Sequence, residues 1–152
     1  MRLLILAIGR ARSSVEGSLY EHYAGRITWP LELRELEEKR PLAANELKLR
    51  EGELLLGALP PRAFAIVLDQ RGKQLDSRAF ALELDRLRQR GTSEVAFVIG
   101  GADGVSDEVR SRAGLVLSLG AATWPHLLVR AMLAEQIYRA QQILSGHPYH
   151  RD

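Results

Sequence analysis

Val95-Ala96-Phe97-Val98-Ile99-Gly100-Gly101-Ala102-Asp103-Gly104, followed by Val105-Ser106-Asp107-Glu108, is the stretch that decides the fold. Val95 to Ile99 is an unbroken apolar run rich in β-branched side chains. That is the pattern of a strand covered on both faces, not one half-exposed to water. The run stops abruptly at the glycine loop. Ser106 then offers an N-cap hydroxyl, and Asp107 and Glu108 behind it suit the positive end of a helix dipole, so a short helix is predicted there. Buried strand, glycine loop and helix start, in this order, describe one unit of an α/β protein with a mainly parallel sheet.

The same alternation extends outward from this unit. Upstream, the Pro60-Pro61 breaker precedes a second buried strand, Ala63 to Leu68, then a turn at Asp69-Gln70-Arg71-Gly72 and a helix from about Ser77 to Arg90. Phe80, Leu84 and Leu87 sit at helical spacing in it and Gly91 closes it. Further back, Leu3 to Ile8 predicts a strand ending at Gly9, Ser13 or Ser14 a helix cap, and Trp29, Leu31 and Leu33 a half-exposed strand. Asn45 is expected to open a helix with Leu47, Leu54, Leu55 and Ala58 inward. Downstream come a short strand, Leu115 to Leu117, a small-residue loop, Leu119 to Trp124, and a long helix begun by Pro125 and ended near Gly146. That makes about five strands.

Composition narrows the possible functions. A chain of 152 residues, 46% hydrophobic and 26% charged, is expected to form one domain, 1–152, with its own core. The apolar start, Leu3 to Ile8, is too short for a membrane span and lacks a cleavage pattern, so a cytoplasmic location and no membrane partner are expected. Without cysteine there is no disulfide, thiol catalysis or Cys-held zinc, and the four histidines lack HExxH spacing, so no metal is expected. Eighteen arginines stand against three lysines, a choice that suits phosphate and base stacking but that a GC-rich genome also produces.

In an open parallel sheet, ligands bind beyond the carboxyl ends of the strands. Gly100 to Gly104 lies in such a position, where missing side chains let backbone groups approach a ligand. It is neither GxGxxG nor GxxxxGK[ST], which disfavours a dinucleotide or ATP phosphate site and weakens a flavodoxin-like or dehydrogenase assignment. The loop Leu119-Gly120-Ala121-Ala122-Thr123-Trp124 could frame a flat adenine with backbone groups and an indole. The segment His147-Pro148-Tyr149-His150-Arg151-Asp152 places two imidazoles, a phenol and a guanidinium where most chains are chemically dull. Such groups stack on bases, pair with phosphate and transfer protons.

Taken together, Ile8-Gly9-Arg10, Leu68-Asp69 with Gly72-Lys73, Ile99-Gly100-Gly101 with Gly104, Pro125-His126 with Leu128-Val129-Arg130, and Glu135-Gln136-Ile137-Tyr138-Arg139-Ala140 leading into His147-Pro148-Tyr149-His150-Arg151 form a pattern spanning the whole chain. It resembles the ribosomal RNA large-subunit methyltransferase H family of the SPOUT class. The resemblance implies an α/β parallel-sheet SPOUT methyltransferase fold with a C-terminal trefoil knot, and a homodimer. It implies methyl transfer from S-adenosyl-L-methionine to N3 of a pseudouridine in 23S ribosomal RNA, on assembled ribosomes. Carried over by position, the cofactor contacts would be Leu68, Gly100, Leu119, Gly120, Ala121, Ala122, Thr123 and Trp124.

An imide N3–H becomes a nucleophile only as its proton leaves, so a base or a stabilising cation is useful. Tyr149, His147, His150 and Arg139 are the catalytic candidates, and Arg10, Arg130 and Arg151 the RNA-binding candidates. Arg130 can equally form an ion pair, and Glu135 and Arg139, spaced i,i+4, can pair with each other. Leu128, Met132 and Ile137 are candidates for a dimer face on the last helix. The alternatives are another SPOUT enzyme acting on transfer RNA, disfavoured by the absence of an added RNA-binding domain, and a non-catalytic nucleotide-binding module, which would not need the C-terminal segment.

Overall fold

The computed structural model describes residues 1–152. Five strands, β1 (Arg2–Ile8), β2 (Leu31–Leu36), β3 (Phe64–Gln74), β4 (Glu94–Ile99) and β5 (Leu115–Ser118), form one sheet in the order β2-β1-β4-β3-β5, with every pairing parallel. Five helices connect them: α1 (Val15–Ala24), α2 (Ala44–Ala58), α3 (Ser77–Gln89), α4 (Asp107–Ser111) and α5 (His126–Leu144). The expected α/β class and all five strands are present.

Both faces of the sheet are covered, which is why β1 and β4 read as continuous apolar runs and do not alternate. Leu3, Ile5 and Ala7 point to one side, into a core completed by Tyr20 of α1, Phe80, Leu84 and Leu87 of α3, and Leu133, Ile137 and Ala140 of α5. Leu4, Leu6 and Ile8 point to the other, toward Leu55 of α2 and Val109 of α4. Ile137 is fully buried in the first core and so is not free for a dimer face, whereas Leu128 and Met132 stay partly exposed.

Several local expectations need correction. Ser14 does cap α1, accepting from the Gly17 N–H at 3.0 Å, and Ser106 caps α4. Asn45, however, lies inside α2, whose N-cap position is Ala43 with no side-chain bond. Of the four residues expected inward on α2, only Leu55 is fully buried, and it is joined by Glu51 and Gly52. The helix is rotated because Gly52 packs against the α4 cap: a Cβ there would lie 2.5 Å from Ser106 Oγ. Asp69 to Gly72 is not a turn that ends a strand. It is an excursion within β3, with Leu68 and Lys73 both in register with Leu117 of β5. The excursion returns through Gly72, where a Cβ would sit 2.7 Å from the Val116 carbonyl.

Candidate functional site

The sheet order sets β4, β3 and β5 side by side, so the segments at their carboxyl ends converge. Together they enclose a cavity of about 460 Å³, a size suited to a nucleoside-sized ligand. Leu68, Asp69, Gln70 and Arg71 line it from β3, Ile99 to Val105 from the end of β4, and Leu117, Leu119, Gly120, Ala122, Thr123 and Trp124 from β5 and the loop behind it. Of the eight expected cofactor residues, seven line this space. Ala121 does not; it points to solvent. Lys48 of α2, Arg110 of α4 and Val129 of α5 also reach it, and no local pattern announced them.

The wall is mostly backbone, and each glycine contributes differently. A Cβ on Gly100 would lie 2.7 Å from the Gly104 carbonyl oxygen, so its bareness lets the 100–104 hairpin close on itself. Gly104 and Gly120, at φ of +81° and +113°, occupy the left-handed region that favours glycine, and neither would meet anything within 4 Å. Ser118 ties the last loop at its start: its hydroxyl accepts the Gly120 N–H at 3.1 Å. At the other end, Trp124 Nε1 donates to the Leu119 carbonyl at 3.3 Å, holding the half-exposed indole over the loop.

Asp69 locks two of the walls together. Its carboxylate accepts the Arg71 N–H at 2.8 Å and pairs with Arg110 at 2.8 Å, while Arg110 also donates to the Val105 carbonyl at 3.0 Å. Burial alone would raise the Asp69 carboxyl, but the Arg71 N–H and Arg110 hold it below its ordinary value. The β3 excursion and the start of α4 are thus fixed relative to each other by one buried charge pair.

The N-terminal motif has a structural role. Arg130 is 1% exposed, pairs with Glu35 at 2.6 Å and donates to the carbonyls of Ile8 and Gly9 at 3.0 and 2.7 Å. Its guanidinium is therefore engaged inside the chain and offers RNA no open face, which replaces the expected RNA contact by the ion pair. His126 packs on Gly9, where a Cβ would lie 3.0 Å from its Nε2, and burial, then the Arg130 charge, push its pKa down. Arg10 remains near the surface, paired with Glu37 at 3.2 Å.

The C-terminal segment folds back on α5. Glu135 Oε1 accepts three donors: Tyr149 O–H at 3.1 Å, Arg139 Nε at 3.0 Å and Arg139 Nη2 at 2.5 Å. The Arg139 guanidinium carbon stands 4.8 Å from the Tyr149 ring centroid, and its Nη1 lies 3.2 Å from His150 Nδ1. The Tyr149 N–H donates to His147 Nδ1 at 3.1 Å, and Asp152 pairs with Arg78 at 2.6 Å. Burial, then the Glu135 hydrogen bond and charge, hold the Tyr149 phenol above its ordinary pKa. The Glu135 bond keeps Arg139 cationic. His147 and Arg151 are exposed. None of residues 147–152 lines the 460 Å³ cavity. No group of three or more His, Cys, Asp or Glu side chains could hold a metal ion, and no helix is long and apolar enough to cross a membrane.

The family model described as predicted SPOUT methyltransferase matches residues 1–150. The ribosomal RNA large subunit methyltransferase H of Rhodospirillum centenum is 56% identical over 151 residues, covering 99% of both chains. Among solved structures, the probable methyltransferase of Bordetella pertussis Tohama I superposes with a TM-score of 0.59 at 16% identity, over 91% of this chain and 94% of that one. The SpoU methyltransferase AviRb of Streptomyces viridochromogenes, solved with the cofactor AdoMet, gives 0.50 at 12% identity, over 96% and 61%. These two likenesses concern the fold. Matched along nearly its whole length in sequence, the chain belongs to the SPOUT methyltransferase family, among the ribosomal RNA large subunit methyltransferase H proteins.

Proposed function

We propose that this protein transfers a methyl group from S-adenosyl-L-methionine to N3 of a pseudouridine in 23S ribosomal RNA, acting on assembled ribosomes in the cytoplasm. The observation that carries this proposal is the 56% identity, end to end, with a ribosomal RNA large subunit methyltransferase H. The residues present suit the cofactor. The cavity has the right size, glycine backbone at Gly101 and Gly120 to approach closely, and an indole at its rim. Leu68, Gly100, Leu119, Gly120, Ala122, Thr123 and Trp124 would hold it, with Ala121 supporting the loop from outside. Bound there, the cofactor supplies a methyl already activated on a sulfonium.

The chain's own residues must then orient the acceptor and accept its imide proton. Tyr149 is held in its protonated form and Arg139 in its cationic form, so neither takes the proton near neutral pH. His147 and His150 remain as proton acceptors, Arg139 as the cation that stabilises the imidate, and Tyr149 as the group that orients them. Arg10 and Arg151 are the RNA-facing cations.

The active unit is a homodimer. The chemistry-bearing segment 147–152 stays outside its own chain's cavity, so a second copy is the natural source of the groups that face the cofactor. Val15, 82% exposed, and Leu19, on the same side of α1, supply apolar surface for such a contact. The chain acts as one domain, and its C-terminal half is knotted. The knot is supported by the path from the edge strand β5 back to the sheet centre, where His126 meets Gly9.

Methyl transfer from labelled cofactor to intact ribosomes, isolated subunits and naked RNA, side by side, tests this function. Label is expected on a pseudouridine of 23S RNA and strongest with intact ribosomes. Label confined to transfer RNA would overturn it.

A further inference from the structure

The Asp69 pair and the C-terminal cluster leave one charged group of the site unexplained. Glu51, on the middle of α2, is 7% exposed, and its Oε1 is buried without a hydrogen-bond partner. Its carboxylate occupies the room that a side chain at position 101 would need: a Cβ on Gly101 would lie 2.7 and 3.0 Å from its two oxygens. Gly101 itself lines the cavity, so this carboxylate packs directly behind one residue of the cavity wall.

A buried acid with an unmet oxygen is costly, and an apolar side chain of similar volume would serve the α2 packing better. The surroundings do not relieve that cost. Asp103, on the same hairpin, adds charge of the same sign, and although Lys48, one turn earlier on α2, lines the cavity, Glu51 Oε1 keeps no hydrogen-bond partner. Burial, then Asp103, accordingly raise the carboxyl above its ordinary pKa. Glu51 is thus a buried acid with an unpartnered oxygen, set behind a glycine that lines the cavity.

We propose that Glu51 selects the cofactor by charge: from behind Gly101 its carboxylate favours the sulfonium of S-adenosylmethionine over the neutral thioether of S-adenosylhomocysteine. This rests on the cavity being the cofactor site. The two ligands share adenine, ribose and amino acid, and differ by one methyl and one positive charge. Shape alone discriminates weakly against the smaller product, whereas a carboxylate in a water-poor wall loses its attraction at the moment the methyl leaves. Glu51 thereby holds the substrate form and releases the spent one, without touching the reacting atoms.

Calorimetric titration of wild type and Glu51→Gln with each ligand tests the proposal. Glu51→Gln keeps the shape and removes the charge. It is expected to weaken S-adenosylmethionine binding about tenfold while changing S-adenosylhomocysteine binding by no more than about twofold. Equal weakening of both would make Glu51 a support for the hairpin, and unchanged affinity for both would make it irrelevant; either result overturns the proposal. Should Glu51→Gln fail to fold, Glu51→Met, which also removes the charge at similar volume, carries the same readout. Wild type binding neither ligand would instead overturn the cavity assignment, and the charge selection with it.

Discussion

The cavity at the strand ends and the C-terminal cluster on α5 are built by opposite means. The cavity is a backbone site: Gly100, Gly104 and Gly120 set its shape, and its one buried charge pair, Asp69 with Arg110, serves to lock two walls together. The cluster is a side-chain site, in which a single oxygen of Glu135 gathers Tyr149 and both donors of Arg139. A backbone site suits a ligand that is always the same and must be held in one pose. A cluster of imidazole, phenol and guanidinium suits proton movement and a polyanionic partner. On the proposed function, binding falls to one region and chemistry to the other, and each should be breakable without the other.

The largest effect should come from removing the cluster. Deleting residues 149–152 is expected to lower methylation of ribosomes about a hundredfold or more while leaving cofactor affinity within a few-fold. The deletion also removes the Arg78–Asp152 and Tyr149–Glu135 contacts, but these lie near the surface, so thermal stability should change little. A truncated protein that methylates normally would reduce the segment to a frayed end.

The mirror experiment attacks the backbone site. In Gly100→Val the new side chain must push on the Gly104 carbonyl, so the hairpin opens and cofactor affinity should fall about tenfold or more, with the α5 cluster unchanged. Unchanged affinity in a folded variant, measured by calorimetry, would show that the cavity is misplaced.

A smaller effect sharpens the division within the cluster. Arg151→Ala should weaken ribosome binding a few-fold and lower the slope of log affinity against log salt by about one, with turnover at saturation preserved. A loss of turnover with an unchanged salt slope would move Arg151 from RNA contact to chemistry.

The smallest effect should be the loss of the phenol. Because the folded state holds Tyr149 above its ordinary pKa, the group stays protonated through neutral pH. Tyr149→Phe should therefore cost turnover no more than about tenfold and leave the neutral region of the pH–rate profile in place. If the profile instead loses its acid limb near neutrality, where rate rises as the base deprotonates, Tyr149 is the base and the imidazoles are not.

The same contrast explains what was legible in the amino-acid sequence. Runs such as Leu3 to Ile8 and Val95 to Ile99 declare buried parallel strands, and ligands in such sheets lie past their carboxyl ends, so the loops at Gly100 and Leu119 could be marked from pattern alone. Long-range pairing could not. The excursion at Asp69 to Gly72 looks like an ordinary turn until Gly72 is seen against Val116. Glu51 reads as one more charge on a solvated helix, because its burial follows from Gly52 docking on Ser106 of another element. Arg130 and Glu35 are 95 residues apart, and nothing local says that they meet. The histidines and tyrosine of the last segment were visible as chemistry, but their arrangement around Glu135 depends on a chain reversal after Gly146, at φ of +71°.

The division of one catalytic centre between two regions is tested most directly by mixing two impaired proteins, at a cofactor concentration too low to load Gly100→Val. Gly100→Val lacks a working cavity and keeps its C-terminal cluster, and the 149–152 deletion has the reverse defect. If the cluster of one copy serves the cavity of the other, subunit exchange between them should restore labelled methyl transfer to ribosomes, to about a quarter of the wild-type rate for random two-fold pairing. A mixture that remains as inactive as its components, although exchange is shown to occur, would contradict the account.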